Sequence, residues 1–445
     1  MNNLIAVSDD PEPAPRLFQF SAMSPRSILV LGLALFSLFF GAGNLILPPQ
    51  LGWRAESFWW VVCLGFCLSA VVVPMFGILA HARLQGTMFD FAKKVSTPFS
   101  LVYCFLVYGI ALALPSPRTA AVTHEMAIAP FIGTPPLATS LVYFGLVFVL
   151  VMNRSQLGSL IGKYLTPVIL AVLLLLIGSM LFWPPEPETA RSLSQPFTVG
   201  MLEGYQTFDA IGAIVGGGVI LVSLGLENPG LDFSQRFRAV ALSGVFVGCC
   251  LLLLYMGLMY SGSLMTSVSP EGVTRTELLS DLARFTLGPG GRIFLSVLIG
   301  LACFTTAVGV VTGSADYVRS RFGDSRRAYT LTAIAGCLMG VLFGQLPVAD
   351  IIAVALPVLM FIYPLTIVLI LLNALPLSWT PPRLFRLVVA TTLLFSIPDF
   401  VESLRPGWIT GPMVRWIPLQ EQGLAWLLPA ATAYIGGKFL IGRQG

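Results

Sequence analysis

The sequence predicts an all-α polytopic membrane protein. Three observations lead there: the composition, a train of long apolar stretches, and glycine-rich interruptions in two of them. Of 445 residues, 56% are hydrophobic and only 10% are charged, with a mean hydropathy of +0.86. A soluble domain carries roughly 25% charged residues. The net charge of +4 is scattered over short loops, which argues against nucleic acid as a partner and leaves the lipid bilayer as the expected one.

A bilayer takes about 20 apolar residues per helix. Stretches of that kind lie near 26–48, 58–80, 98–127, 136–152, 155–182, 197–223, 235–262, 290–318, 327–346, 348–374, 384–402 and 421–441. They predict about twelve transmembrane helices. Residues 1–24, with "DDPEPAPR", read as a disordered cytoplasmic tail. That tail lacks the ordered basic flank, short apolar core and small-residue cleavage site of a signal peptide. With both termini inside, most of the 25 Lys and Arg residues fall on the cytoplasmic side, among them Arg83, Lys93, Lys94, Arg319, Arg321, Arg326, Arg327, Arg383 and Arg386. The external set is Arg54, Arg191, Arg275, Arg284, Arg292, Arg405 and Arg415. That asymmetry follows the positive-inside rule, and one miscounted span would scramble it.

Enzyme chemistry finds no support. The seven cysteines (Cys63, Cys67, Cys104, Cys249, Cys250, Cys303 and Cys337) all lie in apolar stretches, where thiols serve as small hydrophobes. The two histidines are His81 and His124. "THEMA", from Thr123, lacks the second histidine of a zinc-protease helix. No Gly-x-Ser-x-Gly occurs. A channel is disfavoured by the symmetric placing of the two interruptions, which suits a closed midplane site better than a continuous pore.

The first span is interrupted at Gly41, Ala42, Gly43 and Asn44, in "FFGAGNLILPP" with Pro48 and Pro49. Backbone freed inside a bilayer must find partners within the protein. The sixth, "GYQTFDAIGAIVGGGVI" (204–220), carries Asp209 near its middle, with Gly212, Gly216, Gly217 and Gly218 after it. Spans one and six are an odd number of helices apart, so they run in opposite directions. An inverted repeat of two five-helix units has that property, and its broken helices mark a midplane binding site. Amides at a helix start favour anions. Carbonyls freed before the break suit a hard cation. Close helix packing is the other use of such glycines.

The eighth span holds "GLACFTTAVG". Ala302, Thr305 and Thr306 share one helix face. Their carbonyl and hydroxyls either complete a sodium shell or bond back to their own helix. Ionisable residues at membrane depth are costly and mark function. Three stand out here: Asp209, Arg118 in "LPSPRTAAVTHEMAIAP" (114–130), and Glu125 seven residues after it. Arg118 is expected to pair with Glu125 or Asp209, as a structural ion pair or as part of coupling. Phe208 and Phe304 are expected to wall an apolar pocket.

"FFGAGNLILPPQLG", "PSPRTAAVTHEMAIAP", "GYQTFDAIGAIV", "FTTAVGVV", "PVLMFIYP" and "IPLQEQGLAWLLPA" occur in that order between about residues 25 and 441. Together they resemble the branched-chain amino acid:cation symporter family, the BrnQ type of bacteria. The resemblance implies sodium-driven uptake of leucine, isoleucine and valine through a bacterial cytoplasmic (inner) membrane, with no cofactor beyond the co-transported sodium ion. It implies the leucine-transporter fold: first repeat 25–183, second repeat 197–374, and two further helices over 383–441. Carried over by residue, Gly41, Ala42, Gly43 and Asn44 would face the substrate carboxylate. Thr207, Phe208 and Asp209 would contact its amine and side chain. Carbonyls of Ser37 and Phe40, with Ala302, Thr305 and Thr306, would hold sodium. Helices one, two, six and seven would rock against three, four, eight and nine. Proton coupling through Asp209 or Glu125 is the rival within transport.

Overall fold

The computed structural model describes residues 25–153, 157–185, 193–227, 230–408 and 417–441. The expected tail at 1–24 lies outside them. Every regular element among the described residues is helical. Nine of these helices are long and apolar enough to cross a membrane.

The first interrupted stretch forms α1 (Pro25–Phe39) and α2 (Ala42–Ala55). α2 outruns the expected end at 48, because Pro48 and Pro49 lie inside it instead of closing it. Next come α3 (Trp59–Cys67) and α4 (Val73–Leu84), joined by a π turn at Leu68–Val72. The short α5 (Met88–Lys93) follows. The third stretch is split at Leu114, where Pro115 starts a new helix. Its parts are α6 (Thr97–Ala113), α7 (Pro115–Thr123) and a π turn at His124–Ile128. Then come α8 (Pro136–Asn153) and α9 (Leu157–Phe182).

The sixth stretch is α10 (Pro196–Tyr205) and α11 (Asp209–Glu227), followed by α12 (Phe233–Ser263). α13 (Arg275–Arg321) begins well before the expected residue 290 and bends at Gly288, whose φ is +71°. Its polar first half gave no apolar signal. It is started by a capping box in which Thr274 and Glu277 bond each other's backbone amides. The last elements are α14 (Arg326–Gly344), α15 (Val348–Ala374), α16 (Pro382–Leu404) and α17 (Leu427–Ile441).

Glycine sets the closest crossings. A methyl group at Gly200 would sit 2.0 Å from the Val62 carbonyl oxygen, and one at Gly65 would sit 1.9 Å from that of Phe197. α3 and α10 therefore touch backbone to backbone. Gly52 against Met259 and Gly262 against Pro49 do the same for α2 and α12. In α11, a methyl at Gly217 would meet the His81 ring at 2.5 Å, so that glycine serves packing.

The two interrupted helices lie side by side. α1 packs on α11, and α2 packs on α10. First half against second half, in both pairs, means that they run antiparallel. At the α2–α10 end, Glu203 accepts from Arg54 at 3.4 Å and pairs with Arg275 at 3.2 Å. That carboxylate thus ties α10 both to α2 and to the start of α13.

Candidate functional site

The helical path stops at the end of α1. Phe40 N–H still bonds the Phe36 carbonyl at 2.8 Å, but Gly41 is extended (φ −115°, ψ −171°) and α2 starts at Ala42. A helix leaves its first four N–H and last four C=O groups without intrahelical partners. Here those are the amides of Gly41, Ala42, Gly43 and Asn44, and the carbonyls from Ser37 to Phe40. The sequence singled out the same residues for anion and cation binding.

The second break spans Gln206, Thr207 and Phe208, and Phe208 takes a left-handed φ of +61°. That conformation costs a bulky residue energy and persists where the surroundings hold it. Thr207 Oγ1 donates to the Gly204 carbonyl at 2.9 Å and accepts from Asp209 N–H at 3.2 Å. Ala210 N–H donates to the Tyr363 hydroxyl at 3.2 Å. Asp209 opens α11, where a carboxylate is favoured by the helix dipole.

One hydrogen-bonded cluster joins the breaks. Asn44 Nδ2 donates to Asp209 Oδ2 at 2.8 Å and to the Tyr255 hydroxyl at 2.5 Å. The Tyr255 hydroxyl in turn donates to Asp209 Oδ2 at 3.3 Å. All three residues are buried. Asp209 and Asn44, expected at the substrate, thus spend these side-chain bonds on each other and on Tyr255.

Arg118 lies beside the cluster and is 4% exposed. Its Nη1 donates to the Gln206 carbonyl at 2.7 Å, and its guanidinium stands 5.3 Å from the centre of the Phe208 ring. A methyl group at Gly43 would meet Nη2 at 2.6 Å. Arg118 therefore touches both breaks. It does not pair with Glu125. Seven residues are two helical turns, roughly 10 Å of rise, and Glu125 is engaged elsewhere. Its carboxylate accepts from Thr276 at 2.6 Å and from Val348 N–H at 2.8 Å. Nor does Arg118 form a salt bridge with Asp209 among the described residues.

On α13, the Thr305 and Thr306 hydroxyls both bond the Ala302 carbonyl, at 2.9 and 3.0 Å. This is the bonding back to their own helix that the sequence left open. It gathers three oxygens in one place. Thr306 Oγ1 would be 3.8 Å from a methyl group on Gly41, so the Thr306 end of the cluster lies against the first break. Phe208 packs in the α10–α11–α15 core. Phe304 instead meets the Tyr143 ring edge-on at 5.5 Å, in the core of α8, α13 and α14. The two expected wall residues thus belong to different clusters.

Tyr255, Tyr363 and Gln206 were missed. The two tyrosines sit in apolar stretches where a ring reads as packing. Gln206 lies within the quoted "GYQTFD", and its part is played by its carbonyl.

Two antiparallel interrupted helices whose broken ends meet at a buried polar cluster form the architecture of a membrane transporter. Residues 24–443 match the family model described as branched-chain amino acid transport protein, and the chain belongs to that family. It is 33% identical over 418 residues to the branched-chain amino acid transport system 2 carrier protein of Pseudomonas aeruginosa, covering 92% of this chain and 94% of that one. It is 31% identical to the branched-chain amino acid permease BrnQ of Escherichia coli K12, with coverage of 92% and 94%. Among solved structures it shares the fold of Mhp1, a nucleobase-cation-symport-1 family transporter, with a TM-score of 0.55 at 13% identity over 94% of this chain and 93% of that one.

Proposed function

We propose that the protein carries leucine, isoleucine and valine into the cell by sodium-coupled symport with alternating access. The names of its relatives support the substrate class. The observation that carries the coupling ion is the oxygen cluster of Ala302, Thr305 and Thr306 facing the Gly41 break. With the carbonyls of Ser37 and Phe40 it offers five hard oxygen donors, the chemistry that suits sodium over a softer ion. Amides of Gly41, Ala42 and Gly43 receive the carboxylate. Thr207 and Phe208 contact the amine and side chain, and Asp209 holds the second break in register. Stretches 25–183 and 197–374 serve as the two repeats, in a bacterial inner membrane with both termini cytoplasmic.

An aliphatic pocket separates neighbours differing by one methylene by only about 1–3 kcal/mol. The three substrates therefore compete. The test is leucine binding to the purified chain, titrated with sodium. Thr306→Val removes one hydroxyl and keeps the shape. It is expected to raise the sodium concentration for half-maximal binding about tenfold, from the loss of one charge-assisted contact. An unchanged sodium response removes this ion site, and leucine binding that ignores sodium while following pH favours the proton-coupled reading.

A further inference from the structure

We infer that Arg118 is a direct ligand of the substrate's α-carboxylate and the residue by which this site demands one. The inference rests on the proposed amino-acid substrate and names the group that reads its acid end. Arg118 is buried at the meeting of both breaks, against Gly43 on one side and the Gln206 carbonyl on the other. Nη1 is taken by that carbonyl. Nε is buried and has no hydrogen-bond partner. Nη2 lies 2.6 Å from where a Cβ on Gly43 would stand, in the first turn of α2. Nε and Nη2 form the side-on edge of a guanidinium, whose parallel donors match a carboxylate in bidentate fashion.

A buried cation needs an anionic partner. Among the described residues no carboxylate lies within salt-bridge distance of Arg118. Asp209, the nearest candidate, is held by Asn44 and Tyr255. The partner is therefore supplied by the cargo. Its carboxylate spans the guanidinium edge and the unbonded amides of α2, so one anion satisfies a helix start and a buried arginine together. Gly43 matters on the same account: any side chain there displaces Nη2. Because Arg118 also holds the Gln206 carbonyl in the second break, an arriving carboxylate draws both breaks together through one side chain.

The experiment is radiolabelled leucine binding to the purified full chain in sodium. Competition by unlabelled leucine and by leucinol, which has the amine and side chain but no carboxylate, is compared in wild type, Arg118→Gln and Arg118→Lys. Wild type is expected to prefer leucine over leucinol by about 100-fold or more, the scale of a buried charge pair. In Arg118→Gln that preference collapses to below about tenfold, and Arg118→Lys falls between, since an ammonium keeps the charge but not the fork. Should Arg118→Gln fail to fold, Arg118→Lys carries the comparison. A leucine-to-leucinol ratio unchanged in the folded variants overturns the inference and leaves the transport reading standing. Wild type that binds no leucine overturns the transport reading itself, and this inference with it.

Discussion

At the scale of residues, the account turns on the Asn44–Asp209–Tyr255 cluster. Three polar side chains from three helices are buried together, and each satisfies the others. Removing one leaves buried donors unmatched, at about 1–3 kcal/mol for each group. Asp209→Ala is therefore expected to lower the thermal midpoint of the purified protein and to abolish leucine uptake. Tyr255→Phe, which loses one hydroxyl, lowers the midpoint less. A midpoint in Asp209→Ala equal to wild type contradicts the cluster's structural role. Asn44 and Asp209 were legible in the sequence because polar residues stand out in apolar stretches. Their partnership was not, because it joins positions 165 residues apart, and only the folded chain brings them together. The same holds for Arg118, whose distance along the helix to Glu125 suggested a pair that the neighbours of Glu125 pre-empt.

At the scale of elements, backbone-to-backbone crossings fix where the broken helices can sit. Gly200 and Gly65 bring α10 onto α3, and Gly52 and Gly262 bring α2 onto α12. One half of each broken helix is thus clamped to a neighbour, α10 to α3 and α2 to α12. Gly200→Ala places a methyl 2.0 Å from a carbonyl oxygen, so the helices must part. It is expected to destabilise by about 3 kcal/mol or more, the upper range for overpacking. Gly109→Ala in α6 is the control, since nothing lies within 4 Å of that position. There the helix gains roughly 0.5–1 kcal/mol from the better helix former. Chemical denaturation in detergent checks both, and equal behaviour of the two variants contradicts the clamping. Breaks were readable from Gly41–Asn44 and from the Asp209 region, since glycine and polar residues interrupt an apolar run. α5 and the first half of α13 were not, because neither is apolar enough to signal a span.

At the scale of the whole molecule, the antiparallel lie of the interrupted helices gives two half-sites facing each other. α1 and α2 share that centre with α10 and α11, while α7 and α13 bring Arg118 and the threonine pair to it from the other side. In the proposed cycle the ion would bind beside Thr306 and Gly41 and the carboxylate beside Arg118 and Gly43, so both would have to be bound before the two sets close. In the proposed symport, one positive charge moving inward would gain about 2.3 kcal/mol per 100 mV of membrane potential, with any sodium gradient adding to it. The overall architecture was legible early because lipid imposes long apolar helices with few alternatives. The opposite directions of the two interrupted stretches followed from their odd separation, while the pairing of their halves needed the packed structure.

The most direct test of the central claim is leucine uptake into proteoliposomes under an imposed inward sodium gradient, with an interior-negative potential set separately. The account predicts accumulation that requires sodium, grows with the potential, and is competed by isoleucine and valine. Accumulation that proceeds without sodium and tracks an imposed proton gradient would contradict it.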